Sequence, residues 1–361
     1  MKNLTRINFG PPLPIGVYVR RPLYELPFPL DDPDCRIYSL ARQGLYMGIK
    51  ALGLGPGDEI LAPAYHHGSE IEALVQAGIV CRFYDIGPSL EPDEKELEGL
   101  LGPRVRALHL THFLGFPQDA ARWRAWCDER GLLLIEDAAQ AWLSSREGIP
   151  VGSHGDLSIF CLYKTFGLAD GAAVICNPPL DPPSNRRSLR IDRLVREHFI
   201  YLEQRWGWLA ELHRRFKGDR EYDPKRDFAL DNTRCTPNIG TIFLLPRVTD
   251  SRVQETRVAN FTFLLERLKH MLAEPFARLH EGASPYAFPI RSSRKEELLD
   301  WLYRQGIVAS NFWSVPHSSL NVSNFPQAAE LREHIVALPV HQELGYEELE
   351  RIVDAVLSGP E

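Results

Sequence analysis

A chain of 361 residues, 44% hydrophobic and 25% charged, has the make-up of a soluble globular protein and the length for one large α/β domain plus a smaller one. A net charge of −7 argues against a nucleic-acid binder; no apolar run approaches the ~20 residues of a membrane helix, and no apolar segment follows the N-terminal basic residues as a secretory signal would require. The six scattered cysteines, with no Cys-x-x-Cys pair, suit the reduced thiols of a cytoplasmic protein, and the histidines show no metal-binding spacing, so no metal is expected.

The proline-rich residues 1–35 read as an extended arm. Apolar residues at helical spacing from Ile37 to Leu54 predict a helix that stops at Gly55-Pro56-Gly57-Asp58. EILAP (59–63) reads as a buried strand, Ser69 to Ala77 as a helix, and IVCRFYDI (79–86) as the next strand. A helix at 96–101, a strand at 106–113, a helix at 121–131 and a strand at 132–137 continue the β–α–β–α rhythm, which predicts a mostly parallel sheet between helices. Two further strand-like runs, 156–164 and 172–176, flank TFGLADG. The charged stretch 186–217 is helical in pattern and locally basic, which suits a solvated or subunit-contact insertion; 218–240 is polar and loop-like. From about Thr241 a helix-rich portion begins. The run 284–290, a helix at 293–306, a strand at 307–312 and a helix at 346–357 predict a small α+β domain, which places the boundary between 1–240 and 241–361.

Two residues stand out chemically. Lys164 ends an apolar strand, LSIFCLYK, and a buried ammonium is costly unless paired or neutralised. Taken singly it is a strand-end lysine reaching water. Asp137 ends LLLIED, at the carboxyl edge where parallel sheets place their ligand crevice; taken singly it is a helix cap. Together they offer an amine and an acid to one crevice.

The runs IEDAAQA (135–141), GIPVGSHGDLSIF (148–160) and YKTFGLADGAAVI (163–175) resemble the DegT/DnrJ/StrS sugar aminotransferases, fold-type-I enzymes that use pyridoxal 5'-phosphate (PLP). The similarity takes in 51–86, HLTHFLGFP (109–117) and 335–356 in the same order, and fades between about 180 and 283. It implies a large domain with a seven-stranded, mostly parallel sheet, a small C-terminal domain and a homodimer. Lys164 would form the Schiff base and then move the substrate proton. Asp137 would bind the pyridine nitrogen, Gln140 the phenolic oxygen, and His67 would stack on the ring, with Tyr65 and His66 as neighbours.

For the phosphate, the family's Ser-Gly-Thr turn is replaced by Leu40-Ala41-Arg42, leaving Ala41 and Arg42 to offer backbone amides and Arg42 a charge. A serine upstream of the lysine would be Ser158, with Cys161 as the alternative. An asparagine from the partner chain would be Asn238 or Asn232. The implied reaction passes an amino group from an amino acid, glutamate in the family's pattern, to a nucleotide-linked keto-sugar. A non-sugar ketone and a catalytically silent relative are the rivals; dehydration is disfavoured because Lys164 is intact. The missing Gly-x-Gly-x-x-Gly disfavours a dinucleotide oxidoreductase.

Overall fold

The computed structural model describes residues 5–87, 89–185, 191–209, 212, 223–250, 252–272 and 275–360. The expected β–α alternation is present: β1 (Arg36–Tyr38), α1 (Ala41–Ala51), β2 (Glu59–Pro63), α2 (Ser69–Gln76), β3 (Val80–Tyr84), α3 (Glu94–Leu100), β4 (Val105–Thr111), α4 (Ala120–Arg130) and β5 (Leu133–Asp137). A short hairpin, β6 (Ser145–Arg146) and β7 (Ile149–Pro150), leads to β8 (Leu157–Cys161), the one-turn helix α5 (Leu162–Thr165) and β9 (Ala172–Cys176). The main sheet has seven strands in the order β1-β9-β8-β5-β4-β2-β3. The five strands from β8 to β3 are parallel to their neighbours, and β9 runs antiparallel to both β8 and β1. A smaller antiparallel sheet follows, β10 (Ala287–Arg291), β12 (Ile335–Pro339) and β11 (Ser310–Asn311), with β12 in the middle.

Three local expectations change. The first helix begins at Ala41, because Arg36–Tyr38 pairs with Ala172–Val174 as an edge strand and Leu40 is still extended. Lys164 lies in α5, beyond the end of β8. In the stretch 307–312 only Ser310 and Asn311 pair with β12. The basic stretch contains a helix, α6 (Ile191–Arg205), as its pattern suggests; 186–190, 210–211 and 213–217 lie outside the described residues. Among the described residues no helix is long and apolar enough to cross a membrane, and no cluster could hold a metal ion.

Two glycines one turn apart set α1 against the sheet. A Cβ on Gly44 would meet Val174 Cγ2 at 2.2 Å, and one on Gly48 would meet Leu157 Cδ1 at 2.4 Å. The helix therefore lies directly on β8 and β9, and its first turn projects over their site edge. Gln43 fixes that turn. Its Oε1 accepts from the Leu40 amide at 3.1 Å, and its Nε2 donates to the carbonyls of Asp231 and Asn232. On the other face, the helix Ile239–Val248 buries Leu244, Leu245 and Val248 with Phe160, Trp142 and the arm residues Leu13 and Val17. The third core is continuous from Trp123 and Leu134 to Phe288 and Leu338 of the small sheet.

Gly48→Val is expected to cost about 1–3 kcal/mol by overpacking. A urea unfolding curve reads this as a lowered midpoint; an unchanged midpoint would mean that α1 does not lie against Leu157.

Candidate active site

Strand alternation builds the floor of the site. Side chains two apart share a face, and the registers align His109 with Ile135 and Thr111 with Asp137. Ala107 of β4, Ile135 of β5 and Leu157 and Ile159 of β8 all pack in the core beneath α1. By the same parity His109, Thr111, Asp137 and Cys161 face that side. Leu134 and Phe160 enter other cores, on the opposite side.

At the strand ends opens a cleft of about 1100 Å³. Its walls come from α1 (Leu40, Ala41, Arg42), the turn into α2 (His67, Glu70), the ends of β4, β5 and β8 (Thr111, Asp137, Cys161), and α5 (Lys164). The small domain closes it with Tyr286, Glu296 and the segment Val308–Val315, and Phe9 of the arm edges against Tyr286 at 5.4 Å.

The two carboxylates of Glu136-Asp137 part company. Glu136 points away from the cleft, accepts from His112 Nε2 at 2.9 Å or shares its proton, and accepts the amides of Gly152 and His154 at 2.9 and 2.7 Å. Burial opposes its charge, but the His112 contact and the two amides hold its pKa below the usual value. This pair ties down the 148–154 loop. Asp137 faces the cleft. Its Oδ1 accepts from the Ala139 amide at 2.9 Å, and its Oδ2 lies 3.8 Å from His109 Nε2. Burial dominates there and raises its pKa, although His109 and Lys164 work in the other direction.

Gln140 spends its Oε1 on the Leu114 amide, 2.8 Å away, so its Nε2 is the end left for the cleft it lines. Lys164 makes no hydrogen bond or salt bridge among the described residues, and its Nζ stands 5.9 Å from the Tyr286 ring centre. Burial works against its charge, yet Cys161, Tyr163, Tyr286 and Asp137 together outweigh that and raise its pKa. His67 donates its amide to Glu70 Oε1 at 2.9 Å, and its ring is edge-on to Phe228. Burial pushes the His67 pKa down to about 4, so the ring is neutral at neutral pH.

The structure thus brings Lys164, Asp137, Gln140, His67, Ala41 and Arg42 around one cleft. Arg42 is partly committed, because its Nη1 donates to the carbonyls of Asp227 and Ala229 at 2.6 and 3.0 Å. Two expected residues are placed elsewhere. Ser158 has the wrong parity: it lies behind the sheet, where a Cβ on Gly155 would come within 2.6 Å of its Oγ, while Cys161 lines the cleft. Asn238 caps the helix Ile239–Val248, accepting from the Gly240 amide at 2.8 Å, and is too buried to reach a partner chain. Its rival Asn232 is exposed and accepts from Asn185 Nδ2 at 2.7 Å. The neighbours Tyr65 and His66 are buried outside the cleft, Tyr65 against Phe113 and Trp313, and His66 against Phe83.

Several residues of the site carried no signal in the sequence. Arg257 is only 1% exposed, and its guanidinium donates to Gln342 Oε1 and the carbonyls of Pro285 and Thr165. Gln342 Nε2 donates to the same Thr165 carbonyl at 3.1 Å. Both therefore grip the residue after Lys164, and Arg257 also grips the residue before Tyr286. Arg332 does similar work across the cleft, donating to the carbonyls of Ala64, His66 and Trp313. These contacts join segments far apart in sequence. Glu70 did have a faint signal, as an acid in the first turn of α2.

Residues 38–186 match the model of the DegT/DnrJ/EryC1/StrS aminotransferase family. GDP-perosamine synthase of Vibrio cholerae is 32% identical over 136 residues, an alignment that spans 37% of this chain and 37% of that one. A UDP-N-acetyl-3-dehydro-alpha-D-glucosamine 3-aminotransferase of Acidithiobacillus ferrooxidans is 24% identical over 329 residues, 86% of this chain and 80% of its own. Among solved structures, NtdA of Bacillus subtilis with bound PMP superposes with a TM-score of 0.61 at 18% identity, covering 90% of this chain and 72% of that one, a likeness of fold.

Ser158→Ala is expected to leave thermal stability unchanged or slightly raised, since the Oγ has no partner to lose. A melting temperature several degrees lower would show that this hydroxyl holds something the placement behind the sheet denies it.

Proposed function

We propose, for a chain whose residues 38–186 match the DegT/DnrJ/EryC1/StrS aminotransferase family, that the cleft holds pyridoxal phosphate and transfers an amino group from an amino acid, glutamate for preference, to a nucleotide-linked keto-sugar. The observation that carries this reading is the convergence of an unpaired Lys164 amine, the Asp137 carboxylate and the free amide end of Gln140 on one cleft.

The side chains present suit the group. Bound there, PLP supplies an aldehyde that takes an amino group from the donor and yields it to the acceptor in two half-reactions, and a ring that draws electrons from the reacting carbon. Asp137 keeps Oδ2 for a ring nitrogen, because Oδ1 is already occupied by the Ala139 amide. Gln140 Nε2 is a donor for a phenolic oxygen. The neutral His67 imidazole gives a flat face for stacking. The first-turn amides of α1, at Ala41 and Arg42, have no intrahelical acceptor and sit at the positive end of the helix, which suits a phosphate. The buried thiol of Cys161 is the weaker donor beside them.

Lys164 Nζ would hold the cofactor and would move a proton at the substrate carbon. The volume of the cleft, slightly above the roughly 300–1,000 Å³ typical of ligand sites, leaves room for a sugar beneath Tyr286 and Trp313. A homodimer fits the surface. Ile239, Ile242 and Phe243 expose one apolar face of their helix, at 69%, 46% and 47%, the kind of patch that marks a protein contact. The six scattered cysteines, with no Cys-x-x-Cys pair, support a cytoplasmic setting.

Borohydride reduction of the protein after incubation with PLP is expected to fix the cofactor covalently on the peptide containing Lys164, and Lys164→Ala to abolish the adduct. An adduct absent from the wild type at saturating PLP would end this reading. Because the neighbours raise the Lys164 pKa, the nucleophilic neutral amine becomes more abundant as pH rises toward that value. Covalent capture of PLP, followed by its visible absorption, should therefore quicken between pH 7 and pH 9; a rate independent of pH would show that the amine is already neutral.

A further inference from the structure

His109 stands on the site face, and the proposed reaction gives it no task. It is fully buried, and neither ring nitrogen has a hydrogen-bond partner. Two of its same-face neighbours are apolar, Ala107 two residues earlier on β4 and Ile135 opposite it on β5, and Thr111 lies two residues later. An imidazole left unsatisfied in such a place is destabilising, and an aliphatic side chain would pack there without that penalty. The nearest acceptor is the free oxygen of Asp137, Oδ2, at 3.8 Å from Nε2.

We infer that His109 is a positioning residue for the proposed PLP site, acting through Asp137: its Nε2–H turns onto Oδ2 and holds the carboxylate charged and aimed at the cofactor's ring nitrogen. The inference rests on the reading of the cleft as a PLP site. At 3.8 Å the pair stands less than about 1 Å beyond the ~3 Å of a hydrogen bond. Asp137 would then accept from the Ala139 amide on Oδ1 and from His109 on Oδ2, with a remaining lone pair of Oδ2 facing the cleft.

The charged groups that face Asp137 are few: His109 from β4, Glu70 from α2 and Lys164 from α5. Once Lys164 is covalently engaged, its ammonium no longer offsets the repulsion from Glu70. His109 is then, beside the Ala139 amide, the group left to keep Asp137 ionised. A hydrogen bond to a charged group is stronger than one between neutral partners, and a buried carboxylate without one tends to take up a proton.

The test uses the full-length chain with His109→Leu and His109→Gln, titrated with PLP and followed by visible absorption. The leucine variant is expected to bind PLP about tenfold more weakly, as for loss of one charge-assisted hydrogen bond. The pH midpoint of its visible band should rise, because a less protonated ring draws less charge from the lysine-linked nitrogen. The glutamine variant, which keeps an N–H donor, should restore most of both. Melting of the cofactor-free proteins should place the leucine variant at or above the wild type, since it removes an unsatisfied polar group; should it not fold, His109→Met carries the same expectations. Wild-type affinity and midpoint in His109→Leu overturn the proposal, as does an equal loss in an Asp137→Asn background, where His109 would have nothing left to act on. Failure of the wild type to bind PLP at all is a different result, because it removes the reading of the cleft itself.

Discussion

A carboxylate buried at the end of a parallel strand is the constraint to which this structure answers. Removed from water, Asp137 drifts toward its neutral form. The chain opposes that with the Ala139 amide, the Lys164 ammonium and the imidazole of His109. None of these comes from the same element. The amide belongs to the turn after β5, the lysine to α5 beyond β8, and the histidine to the middle of β4. The groups that favour its charged form therefore meet it only when three strands stand in register, which ties the electrostatics of the cleft to the integrity of the sheet.

The register does this through parity. On β5 the alternation sends Glu136 and Asp137 to opposite faces, so two adjacent carboxylates serve different ends. Glu136 meets His112 and two amides and fastens the loop Gly148–His154. Asp137 meets the cleft. On β8 the same rule keeps Cys161 at the site and turns Ser158 away from it. A shift of one residue in either strand would exchange these roles.

The sequence made much of this readable. Alternating strands and helices predicted the parallel sheet, and the resemblance picked out Lys164, Asp137, Gln140 and His67, all of which line one cleft. The errors have physical causes. Ser158 looked plausible by distance along the chain, but strand parity, which was already present in LSIFC, excludes it. Asn238 looked like a side chain free to reach outward, whereas it stands immediately before a helix and caps it. The edge strand Arg36–Tyr38 was hidden because its three residues continue the apolar spacing of α1. Arg257, Gln342 and Arg332 could not be read at all. Their meaning lies in carbonyl oxygens on distant segments, and the backbone leaves no mark in the composition.

Those carbonyls explain why the small domain belongs to the chemistry as well as to the walls of the cleft. Thr165 follows Lys164 directly, and its carbonyl is gripped by both Arg257 and Gln342. A one-turn helix is too short to hold its own geometry, so the lysine turn needs an external anchor. Arg257 also binds the carbonyl beside Tyr286, whose ring faces the lysine amine. A guanidinium buried this deeply is tolerated because its donors meet rigid acceptors, and burial still pulls its pKa down to about 10. The same cation thus sets the distance between the lysine and its aromatic neighbour. Arg332, on the far side, joins the α2 turn that carries His67 to Trp313 in the small domain. Two buried arginines therefore tie segments at opposite ends of the cleft, one at the turn after Lys164 and the other at the turn that carries His67.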